Sequence, residues 1–250
     1  PYSPVSSGSA TQASLGPAIR VAAAEVMAQL FQVASTILEI PADRLSAREG
    51  RILVDGDMER GVPIEDITGQ IAPNTLRGQG ARGPNPEDKA VRTFGAQFVE
   101  LEVDIETGEV TLYRVVTAHD IGRIVNPAIV DSQVIGGITQ GIGFALTEER
   151  VIDHRLGIVL NPNLEDYIVP TIADVPPIEH VHVNVPDTEA NSTGAKGVGE
   201  PPLIPTAPAI ANAIFDAVGI RIRTNPLTRE RILTGLAHAA SNHTDPEVRA

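Results

Sequence analysis

The run Gly194-Ala-Lys-Gly-Val-Gly-Glu-Pro-Pro202 concentrates the residue types that could do chemistry. Gly194, Gly197 and Gly199 strip side chains from the backbone just ahead of a carboxylate, Glu200, and Pro201 and Pro202 stiffen the chain after it. Such backbone lets a bulky ligand approach closely, and its exposed N–H groups favour negative charge. If Pro201 opens a helix, Glu200 stands at a helix start, where a carboxylate is ordinarily a dipole partner rather than a base. The stretch Ser7, Gly8, Ser9, Ala10, Thr11, Gln12 offers short hydrogen-bond donors in a polar loop. That suits a phosphate or a pterin, and equally a plain helix entry.

Histidines supply the next candidates. His119 adjoins Asp120, but neighbours on a strand point to opposite faces, so the two do not support each other. His180 and His182 share one strand face and could ligate a metal, yet no third ligand is evident nearby in sequence. Alternation with valine reads as a solvated histidine face, and no protein-ligated metal is expected. Gly141-Ile-Gly143 lacks the third glycine and the preceding strand of a dinucleotide fingerprint.

Elements must position these groups. Residues 3–14 read as a polar loop, followed by a helix from Pro17 to about Leu38 on the spacing of Ile19, Ala22, Ala23, Val26, Leu30 and Val33. Ile52–Val54 is a short strand and Pro63–Ile67 a short helix; residues 70–92 form a long Gly- and Pro-rich loop, of the kind that tends to be functional. Phe98–Asp104 and Val110–His119 flank a Gly-containing turn and make a hairpin. Asn126-Pro127 begins a second helix, with its body over Asp131–Glu149, that carries Gly136, Gly137, Gly141 and Gly143, each costing about 1 kcal/mol relative to Ala. Close approach of another backbone or a cofactor would justify them. His180–Val185 is a strand, Pro201–Val218 a helix, and Thr228 caps a last short helix. The domain is expected over residues 1–237, with a tail over 238–250.

Composition narrows the classes. The chain has 250 residues, 42% hydrophobic and 20% charged, which is globular. A net charge of −13 argues against nucleic-acid or anionic-membrane surfaces. There is no Cys, so this chain alone holds no disulfide or iron–sulfur cluster. No uninterrupted apolar run approaches about 18 residues, so no membrane span is expected. The Pro-Tyr-Ser-Pro opening has no Met, basic region or signal core, and reads as part of a longer or split subunit.

Five ordered runs carry a resemblance. They are Ala118–Pro127, Gln133–Glu149, Leu160–Thr171, Gly194–Pro202 and Ala209–Ile214. Together they resemble the C-terminal part of the large, molybdenum-binding subunit of the xanthine dehydrogenase/aldehyde oxidoreductase family. The resemblance implies an α+β, two-lobed molybdopterin-binding domain with mixed sheets and packed helices. It implies a hydroxylase that inserts water-derived oxygen at an electron-poor carbon of an N-heterocycle or aldehyde. Glu200 then matches the catalytic base, Gln133 a residue near the metal, Lys196, Gly197, Val198 and Gly199 the loop against the cofactor, and Ser7–Gln12 the loop along the pterin.

The implied cofactor is molybdopterin, its cytosine dinucleotide form open, with iron–sulfur clusters and FAD on other domains or chains. Implied partners are the N-terminal portion of the molybdenum subunit and the iron–sulfur and FAD subunits, assembled as a dimer of heteromers. The expected location is cytoplasmic, with the periplasm open. The competing expectation is a non-catalytic module that completes a pterin pocket.

Overall fold

Two apolar clusters organise the chain, and one long helix runs between them. In the computed structural model, which describes residues 5–244, α1 spans Ala10–Leu38. The polar loop expected over 3–14 therefore ends early: its described part stops at Ser9, and Ala10, Thr11 and Gln12 form the first turn of α1. Ser9 adopts φ 57° and turns the chain into the helix. Serine and threonine compete for backbone hydrogen bonds in any conformation, which hid this start. Pro17 consequently lies inside α1, buried, instead of opening it.

The first cluster joins the C-terminal half of α1 to β1 (Leu45–Arg48), β2 (Arg51–Val54), β3 (Asp57–Pro63) and α2 (Ile64–Ile71). The strands form an antiparallel sheet in sequence order. Leu30 and Ala34 of α1 meet Ile52, Val54, Val62 and Ile67 in its core. β1 and β3 escaped the sequence reading because they are largely exposed and lack alternation. By length and composition α1 could cross a membrane. Its placement in this core and its N-terminal contacts, described below, make it a component of the folded domain.

The second cluster is larger. β4 (Phe94–Val103) and β5 (Val110–Asp120) form the expected hairpin, and β8 (Ile178–Val183) adds parallel to β5. At the turn, the Asp104 carboxylate accepts the Glu106 and Thr107 N–H groups at 2.8 and 3.1 Å, which hold its pKa below the usual range. Between β5 and β8 lie α3 (Pro127–Leu146) and a two-residue pair, β6 (Ile152–Asp153) with β7 (Ile158–Val159). α4 (Thr206–Val218) and α5 (Arg229–Thr244) complete the lobe. Val115, Val134, Ile138, Ile142, Ile210, Ile214 and Ile232 pack together in its core. Mixed helices and sheets around two cores make an α+β fold.

Several boundaries differ from expectation, among them those of α3, α4 and α5. Asn126-Pro127 opens α3 as expected, the Asn126 carboxamide capping the Ile129 N–H at 3.2 Å, but the helix ends at Leu146, short of Glu149. α4 starts at Thr206, since Pro201–Pro205 make turns rather than a first helical turn. α5, whose Arg231 N–H is capped by Thr228 at 3.3 Å, continues past His238 to Thr244, so the tail expected from 238 begins as helix. Residues 245–250 of that tail, and residues 1–4, lie outside the described residues.

The glycines of α3 have separable reasons. A Cβ on Gly137 would meet Pro202 Cβ at 3.0 Å, and one on Gly141 would meet Thr206 Cβ at 2.4 Å. These two positions seat the segment 202–206 against the helix. Gly143 packs on Glu148 and Pro170, whereas Gly136 faces open space. Thr206 is buried and its hydroxyl lies 3.0 Å from Pro202 O and 2.9 Å from Gln97 Oε1; Gln97 Nε2 also donates to Pro202 O at 2.7 Å. The chain just beyond Glu200 is thus anchored from two sides.

The histidine face is reversed from expectation. β8 aligns His180 with Thr117 and His182 with His119, so the histidines share the inward face of the sheet with Val115, Thr117 and His119. Val181 is on the other face and half exposed. A third potential ligand is present after all: Asp131 of α3 meets both histidines.

Candidate functional site

Glu200 is exposed and does not begin a helix of its own; α4 starts later. Its carboxylate lies instead at the N-terminus of α1. The Ser9 hydroxyl donates to Glu200 Oε2 at 3.1 Å, and the Glu200 N–H donates to Ser9 Oγ at 2.8 Å. The helix whose start holds Glu200 is therefore α1, contributed from the far end of the sequence.

The glycines ahead of Glu200 make this contact possible. A Cβ on Gly197 would meet Ser9 O at 2.4 Å and Ser9 Cβ at 2.6 Å. One on Gly199 would lie 3.3 Å from Ser9 Oγ and 3.4 Å from Gln133 Oε1. Backbone at 197–199 thus touches Ser9 on one side and Gln133 on the other.

Lys196 holds the start of the loop. Its side chain is 8% exposed, and its ammonium lies 3.0 Å from Asp120 Oδ2 and 3.6 Å from Asp187 Oδ2. Burial pushes the Asp120 pKa up, but the hydrogen bond from Lys196 and the Gly122 N–H outweigh it and hold it below the usual range. Lys196 N donates to Ile121 O at 2.7 Å, and Arg123 N to Gly194 O at 2.6 Å. Gly122, at φ 71°, would bring a Cβ to 2.2 Å from Gly194 O. Lys196 therefore serves the loop's position; its charge is already matched.

Two open pockets meet at Ser9, Lys196 and Gly197. One, of about 390 Å³, gathers Thr11, Gln12, Gln133 and the backbone of Lys196–Gly199, with Arg123 at its wall. The other, of about 400 Å³, contains Glu200 with Gly8, Ser9 and Ala10. Both fall in the size range of small-molecule sites. Ser7 lines neither; its carbonyl accepts the Ala10 N–H at 3.2 Å.

Residues the sequence reading missed complete the second pocket. Arg82, Asn85, Arg92 and Thr93 come from the long loop before β4. Thr93 donates to Gly197 O at 3.0 Å. Gly78 and Gly80 let this loop lie directly on α1, where a Cβ would meet Ala22 O at 2.1 Å and Ala18 O at 1.9 Å. Its length and glycine content marked the loop as functional, but nothing in its composition named these residues.

The first pocket suits a flat, polar heterocycle bearing phosphate. It offers hydroxyls, carboxamides, bare backbone and a guanidinium. Its lining includes no Cys, His, Asp or Glu, so a metal there would have to arrive on its own organic ligand.

Comparison with known proteins decides the family. The family model described as the molybdopterin cofactor-binding domain matches residues 1–176. The chain belongs to this family. Within it, the chain is 36% identical over 239 residues to the putative xanthine dehydrogenase molybdenum-binding subunit XdhA of Escherichia coli strain K12, covering 93% of this chain and 31% of that protein. It is 43% identical over 144 residues to the aldehyde oxidoreductase molybdenum-binding subunit PaoC of the same organism, covering 58% and 20%. Among solved structures, the reconstituted CO dehydrogenase from Oligotropha carboxidovorans superposes with a TM-score of 0.81 at 28% identity, over 98% of this chain and 31% of that one. Membership of the molybdenum-binding subunits of the xanthine dehydrogenase/aldehyde oxidoreductase family agrees with the resemblance drawn from the five sequence runs. The molybdopterin-binding domain described here corresponds to about a third of the length of such relatives.

Proposed function

We propose that this chain forms the base-bearing part of a molybdenum hydroxylase, with Glu200 as the general base. The observation that carries the reading is the two-point hold of Ser9 on Glu200, at the junction of the two pockets. Molybdopterin, when bound, supplies the metal and the two-electron redox chemistry.

The chain's own residues bind and orient. Thr11, Gln12, Gln133, Val198 and the bare backbone at Gly197 and Gly199 hold the cofactor on one side of the Ser9–Gly197 contact; Ser7, Gly8 and Ala10 shape the turn that brings Ser9 there. Lys196 keeps the loop in place through Asp120 and Asp187. Glu200 stands beside the Ser9–Gly197 contact, at the junction of the two pockets, and the second pocket receives the substrate carbon. Ser9 occupies Oε2. Oε1 is left to take the proton from the water-derived oxygen that is transferred. A carboxylate fixed at one oxygen and free at the other meets the positional requirement on a general base.

The substrate is a small N-heterocycle or aldehyde. Electrons leave through iron–sulfur clusters and FAD on other domains or chains, and the remainder of the cofactor pocket comes from the rest of the molybdenum subunit, in a dimer of heteromers. Purified complex should contain molybdopterin and oxidise at least one of a purine, another N-heterocycle or an aldehyde. Molybdopterin present with no oxidation of any of these would favour the non-catalytic module instead.

A further inference from the structure

Asp131, His180 and His182 converge where α3 crosses the parallel edge of the larger sheet. His180 Nδ1 lies 2.8 Å and His182 Nε2 2.6 Å from the same oxygen, Asp131 Oδ1. The three potential ligand atoms all lie within 4.8 Å of one another. The two imidazole rings meet edge to face, with centroids 4.7 Å apart. None of the three residues lines the pockets around Glu200.

From this geometry we propose that Asp131, His180 and His182 form a binding site for a divalent zinc-like cation, clipping α3 to β8. Two imidazoles and one carboxylate, with a fourth position left for water, are a donor set that zinc accepts readily. The site has both a rigid wall and an entry path. The His180 side chain is 5% exposed, while His182 and Asp131 are 37% and 41% exposed.

Hydrogen bonding alone leaves the cluster poorly matched. If His180 donates Nδ1–H to Asp131, its other nitrogen, Nε2, is a bare acceptor, and it is buried without a partner. The same holds nearby. The Thr117 hydroxyl donates its one hydrogen to Ala96 O, so His119 Nε2, 2.8 Å from that hydroxyl, must be the donor there. His119 Nδ1 is then a second buried acceptor without a partner. The two rings stand 6.1 Å apart, centroid to centroid. Two buried acceptors without partners are a costly arrangement. Coordination of a cation through His180 Nδ1 moves the hydrogen to Nε2. That follows the usual pattern in which a ligating histidine carries its hydrogen on its other nitrogen.

The test uses the complete, assembled enzyme, stripped with chelator, incubated with zinc and desalted. Zinc and molybdenum are then measured together by elemental mass spectrometry. The unaltered enzyme should retain about one more zinc per chain than either Asp131→Asn or the conservative His182→Gln, with molybdenum equal in all three. Cobalt(II) in the unaltered enzyme should give the intense visible bands of a four- or five-coordinate ion, absent in both variants. Equal zinc in enzyme and variants, or only the weak spectrum of hydrated cobalt, would overturn the proposal and leave the cluster as a hydrogen-bonded pin.

Discussion

Ser9 and Glu200, 191 residues apart in sequence, hold each other through two hydrogen bonds of opposite sense. The serine hydroxyl donates to the carboxylate and accepts from the same residue's backbone. One short side chain thereby fixes both the position of the loop and the orientation of the acid at its end.

Replacing Ser9 with Ala removes both bonds at once. Turnover should fall by about 10- to 100-fold, the scale of misplacing a catalytic group by roughly 1 Å. Molybdenum content and KM should change little. Steady-state kinetics beside a metal assay on the assembled enzyme checks this; a KM effect with unchanged kcat would place Ser9 in substrate binding instead.

The glycines of α3 should answer to alanine with opposite signs. At Gly141 a Cβ lies 2.4 Å from Thr206 Cβ, so Gly141→Ala should destabilise by about 1–3 kcal/mol and disturb the Glu200 segment. At Gly136 nothing lies within 4 Å, and Gly136→Ala should stabilise by about 0.5–1 kcal/mol through helix propensity. Denaturation midpoints of the two variants provide the comparison.

Lys196 is an anchor in this account. Lys196→Met should cost about 3 kcal/mol, the lower end for breaking a buried pair, because Asp120 is partly exposed. Cofactor content should fall along with stability. Full stability in Lys196→Met would show that Asp120 and Asp187 do not depend on the ammonium.

His119 predicts an acid-side loss of stability. Burial, and then the neighbouring His180, lower its pKa from 6.5 to about 4. The unfolded chain takes up a proton near pH 6.5 while the folded one resists until about pH 4. The contribution is therefore whole above pH 6.5, declines across that window and stops declining below it. Urea midpoints measured from pH 7.5 to 4 should show a slope that is reduced in His119→Gln.

What the sequence disclosed depended on the kind of signal. The hairpin was legible because branched residues flank a glycine turn, and the Gly194–Pro202 run was legible because glycine and proline have few other uses so close together. The glycines of α3 asked for a close backbone; Gly137 meets one at Pro202 and Leu203, whereas Gly141 makes room for the Thr206 side chain. The partnership of Ser9 with Glu200 was not legible, since no local pattern links residues so distant. Alternation along β8 separated histidine from valine but could not say which set faces α3; the pairing with β5 decides that. The start of α1 was hidden by serine and threonine, whose local hydrogen bonds suit loop and helix cap alike.

The most direct test of the central claim is Glu200→Gln in the assembled enzyme, with turnover and molybdenum measured on the same preparation. Gln keeps the shape and can still accept from Ser9, but it cannot take up a proton at neutral pH. Turnover should be abolished while molybdenum content stays normal. Turnover retained at normal molybdenum content would contradict Glu200 as the base.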